Sequence, residues 1–109
     1  MKIIRNKYIP FKGFRAINLF GILFVRGSAR IDDKTLRHES IHTAQMKEML
    51  YIFFYLWYVV EWIIRLFMKG NAYRNISFER EAYSNEKDLS YLDNRKLFAW
   101  IKYIKNGRN

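Results

Sequence analysis

The chain contains no cysteine, so neither a disulfide nor a thiolate metal site is open to it, and nothing in it marks an oxidising compartment. Histidine is almost as scarce, with two residues, and any bound metal would have to be held by His, Asp and Glu alone. Acidic residues are outnumbered, ten against twenty Lys and Arg, which leaves a formal charge of +10. That charge would attract anionic lipid, nucleic acid or an acidic partner. No nucleic-acid-binding motif accompanies it, so a specific nucleic-acid partner is not expected. Before Pro10 and Lys12 there is no apolar run of signal-peptide length, and the expectation is a cytoplasmic chain, with peripheral membrane association as a further option.

Half of the 109 residues are apolar and 18% are aromatic, which excludes disorder. The length predicts one domain, 1–109, with a single core and no room for a separate substrate domain. Any active site must therefore be compact.

Up to about Arg30 the chain is rich in β-branched and aromatic residues, punctuated by Pro10, Gly13, Gly21 and Gly27, and it reads as short strands. Ala16 to Arg26 is apolar on both alternating faces, which predicts a strand covered on two sides or bent at Gly21. Neither Gly nor Pro occurs from Asp32 to Met68. Asp32 or Asp33 suits a helix N-cap, so a helix should begin near Lys34 and either break around Met49 to Tyr51 or run on to Lys69, before Gly70-Asn71. A further helix is predicted from Ile76 or Ser77 to Asp88, capped by Asn75 or Ser77. A last one is predicted from Asn94 to Lys105, with Leu97, Trp100, Ile101 and Ile104 on one face.

His38-Glu39-Ser40-Ile41-His42 places both histidines on that first helix, four residues apart. The two imidazoles then leave one face a turn apart, as two ligands of one Zn²⁺ must. Glu39 follows the first ligand, where its carboxylate can reach an activated water as general base without being a ligand. The plainer alternative is a pair of ordinary surface or hydrogen-bonded core histidines.

This motif resembles that of the zincin metallopeptidases, the likeness covering mainly Asp32 to Asp88. Metzincins continue with Gly and a third His where this chain has Gln45 and Glu48, so that branch is excluded. In gluzincins the third ligand is a Glu on a later helix, in one branch opening a Glu-x-x-Ala pattern often followed by Asp. Glu79-Arg80-Glu81-Ala82-Tyr83 matches, except that Tyr83 stands where Asp is usual. The resemblance implies Glu79 as third ligand and Ala82 as a point of close helix approach. Glu81, two residues on, faces nearly the opposite side. Glu61 is a rival ligand, nineteen residues after His42. Tyr83 is a candidate oxyanion donor, one turn beyond Glu79, or else a packing tyrosine. Gln45 is read as a helix-packing residue or a hydrogen-bonding neighbour of the ligands. Zincins lay a peptide or protein substrate along an edge strand beside the zinc helix, and Phe20 to Arg26 is that strand by analogy.

Met49 to Met68 holds only two charges, Glu61 and Arg65. Its length would span a bilayer. However, Lys47, Tyr51, Tyr58, Glu61, Arg65 and Lys69 form a polar stripe along one side. The preferred reading is a central core helix, and the alternative an interfacial helix whose Trp57 and Trp62 suit the headgroup region. The fold expected is α+β, a minimal zincin-like domain with short N-terminal strands followed by three to four helices. The function expected is zinc-dependent peptide hydrolysis. The rival is a non-enzymatic membrane-surface or partner-binding protein retaining a structural or vestigial zinc site.

Overall fold

The computed structural model describes residues 1–10 and 12–104. It is α+β, as the composition predicts: β1 (Lys2–Asn6), β2 (Ala16–Leu19) and β3 (Ile22–Arg26) form a mixed sheet, followed by α1 (Asp33–Glu48), α2 (Ile52–Leu66), α3 (Ser77–Asn85), a single turn α4 (Tyr91–Asn94) and a 3₁₀ segment Ala99–Tyr103.

The strand order is β1-β3-β2, with β3 parallel to β1 and antiparallel to β2. Ala16 to Arg26 is therefore a hairpin, not one bent strand. Phe20 and Gly21 both take positive φ, 54° and 88°, the backbone of a tight two-residue turn that matches strand twist. A Cβ at Gly21 would also come within 3.3 Å of the Thr43 methyl. This corrects the reading of Phe20 to Arg26 as an edge strand: β3 is paired on both sides, and the edge strand beside α1 is β2. Asn18 of β2 joins the two by donating to the Glu39 carbonyl and to Thr43 Oγ1, at 2.9 and 3.1 Å. Only alternate β3 residues, Leu23 and Val25, are fully buried, so the strand is covered chiefly on one face.

Asp32 caps α1 as expected, its carboxylate accepting from the Thr35 N–H at 2.8 Å. The break after α1 is abrupt, because Leu50 and Tyr51 both adopt positive φ and the axis turns through 111° into α2. For α3 the expected caps fail. Its N-cap is Ile76, which has no side-chain acceptor, and the orphan N–H of Ser77 is instead bonded by Glu61 of α2 at 2.8 Å. The helix ends at Asn85, earlier than Asp88.

The last predicted helix is also corrected. Arg95 is extended and Phe98 left-handed, which splits the segment into α4 and the 3₁₀ turn. The cause is a buried ionic cluster: Arg95 must reach Glu48 and Glu81 while the Phe98 N–H reaches Glu48. The end of that prediction, Lys105, lies outside the described residues.

Met46, Phe54, Ile76, Phe78 and Trp100 form the main core, drawing on α1, α2, α3 and the 3₁₀ turn. Here α2 departs from the core-helix reading. Its buried residues are Phe54, Glu61 and Arg65, whereas ten of its apolar side chains, among them Leu56, Val59, Val60, Ile63 and Ile64, are exposed. Within α2 the polar stripe, Tyr58, Glu61 and Arg65, faces inward and the apolar face outward, while Lys47 and Lys69 at the ends of the stripe are exposed.

Candidate metal centre

α1 presents His38 and His42 on its buried face, and α3 crosses it so that Glu79 meets both. Ala82, fully buried one turn after Glu79 on α3, fits the small residue expected at a close approach. Glu79 Oε1 lies 3.2 Å from His38 Nε2 and 3.0 Å from His42 Nε2, and the two Nε2 atoms are 3.1 Å apart. All three residues are buried. Tetrahedral coordination with bonds of about 2.0–2.1 Å has edges of about 3.3–3.4 Å between ligand atoms, so this triangle needs only a slight expansion to hold such an ion.

The far side of each imidazole is also fixed. His38 Nδ1–H donates to Glu86 Oε1 and His42 Nδ1–H to Gln45 Oε1, both at 2.7 Å. The Gln45 amide is oriented by its own donations, 3.0 Å to the Phe78 carbonyl and 3.0 Å to Glu81 Oε1, so its oxygen is left to accept. With Nδ1 engaged on both rings, the two Nε2 atoms are turned toward one point. Outer partners of this kind hold ligand rings in place and raise their basicity. Tyr58 of α2 completes the set by donating to Glu79 Oε2 at 2.7 Å.

Burial works against charge on His42, but the Glu79 carboxylate outweighs it and lifts the imidazole to about 9. Burial likewise acts to raise Glu79, and the facing His42 and His38 together with Tyr58 instead hold it well below the usual carboxylate range. Burial and Glu79 push the Tyr58 phenol up, so it remains a donor. The trio thus gathers a carboxylate and two imidazoles in a buried place beside a cavity, and it forms a group able to hold a metal ion, which would displace the extra proton that Glu79 stabilises on His42.

Glu39 lies beside the trio but outside it. Its backbone carbonyl is bonded by Asn18 and Thr43, and its side chain forms part of the walls of two cavities. The larger, about 540 Å³, reaches His42 and Glu79 and is otherwise mostly apolar, with β2, Met46, Phe54 and Tyr55 in its walls. The smaller, about 230 Å³, lies against His38, Tyr73 and Tyr83. Both sides of the centre can therefore be approached.

Of the residues singled out in the sequence, His38, His42 and Glu79 are brought together with Glu39 alongside. Glu61 is not. Its oxygens are occupied by Ser77 N and Oγ and by Trp57 Nε1, so it holds the start of α3. Tyr83 packs its ring edgewise on His38, with centroids 4.5 Å apart, and its hydroxyl meets that of Tyr73. Sequence reasoning missed Glu86, Tyr58 and Tyr73. Glu86 had a usable signal, since it lies seven residues after Glu79 on the same helical face. Tyr58 was visible only as part of the polar stripe on α2. Comparisons with protein-family models, curated proteins and solved structures give no match, so the functional reading stands on the geometry.

Proposed function

We propose that the chain is a zinc-dependent peptidase of the HExxH type, with His38, His42 and Glu79 as ligands and Glu39 as general base. The observation that carries this reading is the convergence of both Nε2 atoms and one Glu79 oxygen beside a carboxylate that borders an open cavity. A purely structural site is normally closed by four protein ligands, and three with solvent access is the catalytic pattern. Zinc bound there would supply Lewis acidity, activating water and polarising a carbonyl.

The chain's own residues account for the rest. Glu39 takes the proton from the attacking water and returns it to the leaving amine. Gln45 and Glu86 keep the imidazoles from rotating, and Tyr58 keeps Glu79 oriented. Tyr73 and Tyr83 stand at the rim of the smaller cavity, where a phenol can donate to a developing oxyanion. The larger cavity beside the β2 edge suits an extended peptide with an apolar side chain.

Metal analysis beside a peptide-library assay tests the proposal. Wild-type protein should carry about one zinc per chain, and His38→Ala or His42→Ala should lose it. Glu39→Gln should keep the metal while kcat falls by about 10² to 10⁴. Zinc binding without any cleavage by the wild type would favour the non-enzymatic alternative, and undiminished cleavage by Glu39→Gln would refute the mechanism.

A further inference from the structure

The outward face of α2 is not explained by the metal centre. From Ile52 to Leu66 every exposed side chain is apolar, and the only charged residues, Glu61 and Arg65, are turned inward and bonded within the fold. The exposed apolar surface continues through Phe67, which is 87% exposed, and Met68. A helix that buries its polar stripe and presents its apolar side is not arranged for water, and an apolar patch this large marks a contact surface.

Charge identifies the partner. Among the described residues thirteen Lys and Arg side chains are exposed, against four exposed carboxylates, Asp32, Asp33, Asp88 and Asp93. The remaining six acidic residues are buried or partly buried, several in the metal centre and the Arg95 cluster, so the excess of positive charge lies on the surface. Lys47 and Lys69 bracket the exposed apolar helix, and Lys96 and Lys102 bracket a second exposed apolar group, Leu97, Phe98 and Ile101. Apolar side chains bordered by lysines, with Trp57 and Trp62 among them, match a bilayer interface with anionic headgroups.

A second copy of the chain fits less well, because a two-fold contact would bring the same lysines together at a net charge of +10 each. Nucleic acid would satisfy the charge but not the apolar surface. No single helix among the described residues is long and apolar enough to cross a membrane; α2, about 22 Å long, has the size to lie in the interface.

We infer that the outer face of α2 is a docking surface for an anionic lipid bilayer, entered by its apolar side chains and held by the flanking lysines. The inference does not depend on the peptidase reading, since none of its residues contacts the metal centre. Flotation of the full chain with vesicles of phosphatidylcholine containing about 30% phosphatidylglycerol, and of phosphatidylcholine alone, tests it.

The protein should float with the anionic vesicles, its tryptophan emission shifting to the blue, and much less with the neutral ones. Val59→Gln with Ile63→Gln should reduce partitioning roughly ten-fold or more while circular dichroism and zinc content stay those of the wild type. Wild-type protein that floats with neither vesicle would overturn the inference. So would a double variant that is folded and floats as well as the wild type, since charge alone would then suffice. A concentration-dependent dimer in lipid-free buffer that the double variant abolishes, without vesicle binding, would assign the face to a second copy instead.

Discussion

The two halves of the helical layer treat polarity in opposite ways. Where α1 meets α3, ionisable groups are packed into the interior: His38, His42, Glu79, Glu81 and Glu48 are all inside or nearly so, and each has a partner. On α2, only residues apart along the chain, aliphatic and aromatic side chains face outward. The general preference for apolar burial is thus set aside twice, and the two exceptions have different stability consequences. Buried charge requires complete pairing, so the α1–α3 side must be structurally exact to persist. Exposed apolar groups impose no such geometric demand and gain only when something covers them. The first region is therefore expected to be intolerant of substitution, the second permissive in buffer.

The most damaging change should be Arg95→Met. Arg95 grips Glu48 through two bonds of 2.9 Å and Glu81 through its Nε, and burial opposes its charge less strongly than these bonds favour it. Without it two buried carboxylates lose their shared countercharge and keep only neutral donors, and a loss of about 3–5 kcal/mol in urea unfolding is expected. A loss under about 1 kcal/mol would mean that the cluster contributes little and that the contrast between regions is overstated.

Next in size is the pair Glu79→Gln and Glu61→Gln, both buried glutamates and both near-isosteric changes. On the proposed reading the first removes a ligand, and it should weaken zinc by more than the roughly 10- to 100-fold typical of losing an outer partner. The second should leave zinc content intact and cost about 1–3 kcal/mol, since one of the bonds at the start of α3 is lost. Titration with a chromophoric chelator beside denaturant melts separates them, and the reverse pattern would reinstate Glu61 as the ligand.

The smallest effect belongs to α2. Leu56→Ser or Ile64→Ser, at positions 58% and 54% exposed, should shift lipid-free stability by only about 0.5 kcal/mol, mostly helix propensity. A penalty of core size at either position would show that the face is already covered in solution.

Much of the centre was legible in the chain because its geometry is local. Two histidines a turn apart, a capped helix start at Asp32 and the Glu-x-x-Ala spacing each depend on residues within one helix, and the α+β order followed from where Gly, Pro and β-branched residues fall. What escaped depended on distant partners. Periodicity marked the stripe through Tyr58, Glu61 and Arg65, but not which side of it would face the core, because Glu61 finds Ser77 sixteen residues away and Arg65 finds the Ile104 carbonyl thirty-nine away. The 94–105 helix was lost for the same reason, Arg95 being drawn to Glu48 across forty-seven residues. The edge strand was misplaced because one tight turn at Phe20-Gly21 reverses the chain and exchanges centre for edge.

The bond from Glu61 to Ser77 also governs how the centre comes together. α3 has nine residues, is capped by nothing of its own, and by itself is too short to persist in water. It persists only while it is docked against α1 and the 3₁₀ turn and held at its start by Glu61 of α2, and with that docking goes the position of Glu79. An unfolded chain can offer a metal its histidine pair but not the third donor, so tight uptake and tertiary docking are one event. Metal retention during partial denaturation would then act as a reporter on the docking of α3, including its bonds to α2 through Glu61 and Tyr58.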